Sequence, residues 1–366
     1  MDFSLTDAQQ DLGGLARQIL TDKVTQERLR AVETGPRWDQ QLWADLATAG
    51  VLSAALPEQV GGGGFGLLEQ CSVLVELGRA VAPVPYLQSV VMAAAAIAEL
   101  GTDSQRERWA APAAAGELVL TVALVDEPGT GGTRAQRSGD GWVLNGAKSA
   151  VSWAPVADAV LVAAATDAGP VVLLVRSDDP GVQVQDQQLV DGGSAGLVEL
   201  TDVRLDADRV LGTDGEAALT WLVDRGTVGI CALQLGVTER ALELTAEYAR
   251  ERVQFGRPIG SFQAVAQRLA DAYIDVEAIR LTLWQAAWRL AEDLPSTAEV
   301  ATAKFWAADA GHRVSHTAVH VHGGVGIDTD HALHRYFTAA KRNEFELGAA
   351  TAQLLRLGAT LAAEPA

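Results

Sequence analysis

The residues best suited to chemistry lie in one short stretch, Arg252-Val253-Gln254-Phe255-Gly256-Arg257-Pro258-Ile259-Gly260-Ser261-Phe262-Gln263. A Gly and a Pro interrupt a long helical pattern there, and the break carries a guanidinium, an amide and an aromatic ring. A helix end that sets an Arg beside backbone N–H groups suits phosphate oxygens, because charge and forked donors act together. The chemistry this implies is the holding of a nucleotide-bearing cofactor. The plainer alternative is a helix C-terminus with a dipole-compatible Arg and a buried Phe. A second group is His320-Val321-His322-Gly323-Gly324-Val325-Gly326. Two His at i and i+2 suggest a metal, but no third ligand is near, and a catalytic zinc needs three. Glycines without side chains let a backbone approach a ligand closely, which is the reading preferred here.

The elements that must position these residues follow from periodicity. Residues 1 to about 120 read as helices: apolar Leu12, Leu15, Ile19 and Leu20 follow Leu5-Thr6-Asp7, and Trp38 to Leu52 repeats the amphipathic spacing. The glycine cluster in Leu56-Pro57-Glu58-Gln59-Val60-Gly61-Gly62-Gly63-Gly64-Phe65-Gly66 lacks both a preceding strand and a following Lys-Ser/Thr. It therefore reads as a flexible turn between helices, not as a phosphate loop. Around Glu117 the period changes to near two. Leu118 to Val125, Gly141 to Ala147, Ala159 to Ala165, Val171 to Val175, Val182 to Leu189 and Gly196 to Val203 predict an antiparallel β-domain or barrel. From about Gly215 the helical period returns, over Ala217 to Arg250, Phe262 to Asp293, Thr297 to His322 and Asp330 to Leu361. The expected fold class is α+β: helices over 1–118, a middle β-domain over 119–212, and a C-terminal four-helix-bundle domain over 213–366.

Composition excludes several functions. The 366 residues are 48% hydrophobic and 20% charged, an ordinary globular balance with a large core. The net charge of −19 argues against nucleic acid, whose phosphates need clustered Lys and Arg. Cys71 and Cys231 are far apart without metal-type spacing and read as small core residues. Met1-Asp2-Phe3-Ser4 lacks a basic region followed by an apolar one, and the apolar run from Ser89 to Leu100 is too short to span a bilayer. No membrane association and a reduced, cytoplasmic setting are the expectation.

From Glu251 to Gln263 the chain closely resembles the ERxQFGxPIxxFQ segment of the acyl-CoA dehydrogenase family. Pro57 to Gly64 is similar to that family's PExyGGxG turn, and His320 to Gly326 to its QxxGGxG segment, with His320 where Gln is usual. Leu124-Val125-Asp126-Glu127-Pro128-Gly129 and Asn145 to Trp153 with Ala157-Asp158 resemble the ALTEPxAGSD and GxKxWITNxxxAD segments. The resemblance covers essentially the whole chain and implies the helix, β-domain, helix architecture with FAD as cofactor. In the family the matching Arg and Phe reach the adenine-side half of a neighbouring subunit's FAD, and the glycine turn contacts its pyrophosphate. Arg252, Gln254, Phe255, His320, Gly323, Gly324 and Thr351 are accordingly the expected cofactor-contacting residues. On the ring-facing side Val125 stands for a Thr, and Ala150-Val151-Ser152 for Trp-Ile-Thr. The hydroxyls remaining there are Ser149 and Ser152. Trp153 is either a substitute aromatic or a core residue.

Family chemistry removes a proton from Cα while hydride leaves Cβ for the flavin, which needs a carboxylate held at Cα. The family's two base positions fall here on Ala349 and Gly226, neither of which takes a proton. Three readings stand. A nearby acid, Glu346, Glu344 or Asp224, serves instead, although ion pairing with Lys341 and Arg342 explains Glu344 and Glu346 more simply. Or the chain binds flavin or acyl-CoA without oxidising it. Or, preferred, it resembles the smaller, base-less chain of heteromeric bacterial acyl-CoA dehydrogenases, α2β2 assemblies that often act on CoA thioesters of steroid side chains. The implied partners are a homologous catalytic subunit that supplies the Glu, an acyl-CoA substrate and an electron-transfer acceptor. A helical interaction protein without enzymatic activity is the alternative of another class.

Overall fold

The computed structural model describes residues 6–35 and 37–363; the Met1 to Ser4 segment read above lies outside them. The helices before the sheet are α1 (Asp7–Lys23), α2 (Gln26–Glu33), α3 (Gln40–Thr48), α4 (Leu67–Ala80), α5 (Ala95–Leu100), α6 (Asp103–Gln105) and α7 (Ala111–Ala114). Their starts are chemically marked. Thr6 and Gln9 form a reciprocal capping box on α1, Thr102 and Gln105 another on α6, and Asp39 caps α3 through Leu42 N–H. The glycine cluster is indeed a turn: Glu58–Val60 forms a short 3₁₀ turn that ends on Gly61.

The sheet has seven strands, β1 (Leu120–Ala123), β2 (Arg134–Ser138), β3 (Gly141–Ser152), β4 (Ala159–Thr166), β5 (Gly169–Arg176), β6 (Val182–Gln187) and β7 (Ala195–Leu205). β3–β7, β4–β5, β6–β7 and β2–β3 pair antiparallel, as expected. β1 departs from this and lies parallel to β4, Leu120 opposite Ala159. The inward residues Leu144, Val162, Leu173, Val198 and Val203 make its core. β2, Arg-Ala-Gln-Arg-Ser, escapes a periodicity reading because only Ala135 of its five residues is buried.

The C-terminal helices are α8 (Gly215–Glu251), α9 (Gln263–Ala291), α10 (Thr297–His322), α11 (Leu333–Phe345) and α12 (Ala350–Ala363), with β8 (Val253–Gln254) and β9 (Arg257–Pro258) between α8 and α9. The expected single helix from Asp330 to Leu361 is two: Leu347 (φ +55°) and Gly348 (φ +96°) leave helical space and end α11. By packing the chain forms two units, one of residues up to Arg28 with 67–82 and 227–366, the other of 29–66 and 83–226. In the first unit α4 and α8 meet at backbone distance. A Cβ on Gly236 would lie 1.9 Å from Val75 O, and one on Gly78 would lie 2.2 Å from Leu233 O. Arg79 of α4 fixes that contact through ion pairs at 2.8 Å to Glu239 and to Glu243 of α8. Cys71 and Cys231 are buried free thiols, and burial pushes the Cys231 thiol up to about 12, which makes it inert at neutral pH. No helix among the described residues is long and apolar enough to cross a membrane.

Candidate functional site

The hairpin after α8 is built around a two-residue turn. Gln254 pairs with Arg257, so Phe255 and Gly256 are the two central residues, with φ +53° and +79°. Positive φ at both positions is what a type I′ turn demands, a role that Asn-Gly fills without strain. Phe255 fills it at a cost, and its ring is 93% exposed. The expectation of a buried Phe at a plain helix end is thereby set aside. The ring packs at right angles to that of Phe262, 6.1 Å between centroids, and Arg257 lies 4.2 Å over Phe262. Arg252 is exposed, and among the described residues no carboxylate pairs with it. Gln254 is exposed as well, its amide donating to Val253 O.

At the end of α10 the two histidines part company. His320 is exposed and lines a groove of about 1060 Å³ between α9 and α10, with Gln267, Arg268, His316 and Thr317 among its walls. His322 is buried, stacks on Tyr248 of α8 with centroids 4.3 Å apart, and its Nδ1–H donates to Ala318 O. Burial, aided by His331, pulls the His322 pKa below the ordinary imidazole value against the pull of the Ala318 bond. Gly323 follows with φ +64°, and a Cβ on Gly324 would meet nothing within 4 Å. The chain's own packing therefore gives no reason for glycine at 324. Thr351 is exposed in the first turn of α12.

Of the three acids weighed as alternative bases, Glu344 and Glu346 are engaged in ion pairs. Glu344 lies 2.7 Å from Lys341 Nζ and 3.2 Å from His312 Nδ1, and Glu346 lies 3.1 Å from Arg342 Nε. Ala349 sits in the break between α11 and α12; Gly226 and Asp224 are buried within α8. Lys304, fully buried in α10, donates to Asn343 O at 2.9 Å and Glu344 O at 3.1 Å, fixing the end of α11 where that break begins. The periodicity reading missed it.

In the sheet, counting back from Glu127-Pro128 places the Thr of the ALTEP pattern on Asp126, one residue beyond Val125. An acid, not Val, replaces that hydroxyl. Asp126 lies 2.7 Å from the buried Lys148 and accepts from Thr133 N–H at 3.0 Å. Partial burial works to raise the Asp126 pKa, and the bonds from Lys148 and Thr133 outweigh it, so the carboxyl is held below its ordinary value and stays ionised. The signal missed in the sequence is a Lys inside a strand whose neighbours Ala147 and Val151 face the core. Trp153, in a left-handed conformation at φ +64°, donates its indole N–H to Gln88 at 3.1 Å. It is half-buried and stands outside the buried core. Ala150 also has positive φ, +52°, at a register break in β3.

Set against the chemistry of FAD, the residues present divide into two different surfaces. The hairpin and glycine turn offer an unpaired guanidinium, an exposed ring and accessible backbone, which fit a dinucleotide tail. The β3 side offers an ionised carboxylate and Ala150 where a ring-facing hydroxyl and an aromatic belong, which does not fit an isoalloxazine.

Comparison with known proteins agrees along the chain. The acyl-CoA dehydrogenase N-terminal domain matches residues 6–117, the middle domain 125–203 and the C-terminal domain 213–362. The chain is 53% identical over 375 residues to acyl-CoA dehydrogenase FadE27 of Mycobacterium tuberculosis, with all of both chains covered. Among solved structures, a chain of the ChsE4-ChsE5 complex from Mycobacterium tuberculosis superposes with TM-score 0.98 at 54% identity over all of both chains. A chain of the Tcur3481-Tcur3483 steroid ACAD G363A variant superposes with TM-score 0.91 at 44% identity, covering 97% of each. Three matched domains in order and a relative alike from end to end leave one assignment: this chain belongs to the acyl-CoA dehydrogenase family, flavin oxidoreductases that act on acyl-CoA.

Proposed function

We propose that this chain is the base-less subunit of a heteromeric acyl-CoA dehydrogenase, one that completes a partner's FAD site and leaves proton abstraction to that partner. The observation that carries the reading is an imbalance. Ala349 and Gly226 hold no carboxylate and Glu344 and Glu346 are tied to cations, while Phe255 is held strained and fully displayed on its turn. Strain kept at an exposed aromatic has no use within the chain and suits a surface that another subunit's ligand covers. In this reading Arg252 and His320 donate to phosphate oxygens, Gln254 and Thr351 supply further polar contacts, Phe255 packs on the adenine side, and Gly323 and Gly324 admit the pyrophosphate. When bound, FAD supplies the acceptor for the hydride that leaves Cβ.

The substrate we propose is a CoA thioester, with steroid side chains as its acyl class and an electron-transfer protein as the acceptor. Support comes from the two heteromeric relatives, one of them described as a steroid enzyme. The buried free thiols accord with a cytoplasmic setting. The test is acid by acid in the co-expressed complex. Glu344→Gln and Glu346→Gln leave acyl-CoA-dependent flavin reduction within about twofold of wild type, since neither group touches the reacting carbon in this reading. The partner's Glu→Gln abolishes it. Loss of reduction in Glu346→Gln or Glu344→Gln would instead favour a self-sufficient enzyme with a displaced base.

A further inference from the structure

Lys148 of β3 is 1% exposed, and its ammonium lies against Asp126 Oδ1, the oxygen that also accepts from Thr133 N–H. The segment carrying Asp126 is fastened to β3 on both sides. Glu127 N–H donates to Ala147 O at 2.9 Å, and Ser149 N–H to Val125 O at 3.0 Å. Gly132, at φ +84°, turns the loop beside the other oxygen; a Cβ there would stand 3.3 Å from Oδ2. Despite these holds the Asp126 side chain is 44% exposed. The result is a carboxylate fixed in direction, with Oδ1 engaged by the protein and an acceptor-only edge turned toward solvent.

We infer that Asp126, pinned by Lys148, keeps an isoalloxazine ring out of this chain's own middle domain. The inference rests on the division of labour proposed above and adds its physical cause. The pyrimidine edge of a flavin has one donor, N3–H, and acceptors at N1, O2 and O4, and it gathers negative charge at N1 and O2 on reduction, so its N1–O2 side calls for donors. A hydroxyl at this place donates. An ionised carboxylate cannot, and it sets like charge against like.

Asp126→Asn isolates that edge: the amide oxygen still accepts from Lys148 and Thr133, and the other edge becomes an NH₂ donor. In the co-expressed complex, measured by visible flavin absorbance and by FAD released on denaturation, bound flavin per complex rises roughly twofold over wild type as the second ring pocket fills. Because a neutral Asn leaves the buried ammonium without a counter-charge, Asp126→Asn/Lys148→Gln, a neutral hydrogen-bonded pair, carries the same test if the single variant does not fold. A folded, assembled variant with the wild-type flavin ratio overturns the inference, as does a wild-type complex that already holds flavin in both subunits. The underlying reading fails separately, when the chain expressed alone is yellow and turns over acyl-CoA.

Discussion

The imidazole of His322 lies flat on the ring of Tyr248, with centroids 4.3 Å apart and planes 18° from parallel. The stack joins the last turn of α10 to α8 one turn before the Arg252 hairpin, so the glycine turn and the hairpin share one anchor.

That anchor is sensitive to pH. Burial depresses the folded-state pKa of His322, so its contribution to stability is complete above the unfolded value of about 6.5 and is lost as pH falls through the lower folded value. We expect denaturant midpoints to drop on acidification below about pH 6.5, and His322→Gln, which keeps a donor for Ala318 O, to flatten that slope. An unchanged slope in the variant would assign the acid sensitivity elsewhere.

Phe255→Asn should separate stability from function. Asn tolerates the left-handed region, so the hairpin gains about 1 kcal/mol from relieved backbone strain. The variant loses the aromatic face, and with it FAD affinity in the complex, by about tenfold. Thermal unfolding and flavin-fluorescence titration read the two effects apart. A variant that is both less stable and equally good at holding FAD would refute the assignment of Phe255.

Arg252→Lys keeps the charge and gives up the fork. Fold stability should stay within about 0.5 kcal/mol, because the side chain is exposed and unpaired. FAD affinity should fall about tenfold, and further in Arg252→Ala, as expected for charge-assisted bonds to phosphate. Equal affinity in Arg252→Ala would remove this residue from the cofactor site.

Lys304→Met leaves the carbonyls of Asn343 and Glu344 without their donor. One buried and one partly buried acceptor so abandoned cost about 2–5 kcal/mol, somewhat offset by removing an ammonium from the interior. Urea denaturation measures the loss, and hydrogen exchange should localise it to the segment between α11 and α12. Uniform exchange across the unit would argue against Lys304 as the clamp on that segment.

Much of this was legible in the residues. Long periodic stretches fixed the ends of α10 at Thr297 and His322, and apolar runs located six of the seven strands. What escaped was set by tertiary context. β2 is mostly exposed and polar, so no alternation marks it. The break at Leu347 lies on a non-glycine residue with positive φ, which composition does not announce. The hairpin's chemistry was visible as residue types, yet its meaning depends on Phe255 occupying a turn position that favours Asn, and only backbone angles disclose that. The Asp126–Lys148 pair joins two segments more than twenty residues apart across a bridge that neither propensity nor spacing encodes.

The central claim is that this chain grips a dinucleotide tail and does not itself carry the reacting ring and base. Its most direct measurement is the flavin-to-chain ratio of the protein purified alone and of the protein co-expressed with a Glu-bearing homologue. The account predicts a colourless, inactive chain alone, and flavin and acyl-CoA-dependent reduction appearing together in the complex. A chain that is yellow on its own and reduces an electron acceptor with acyl-CoA would contradict it.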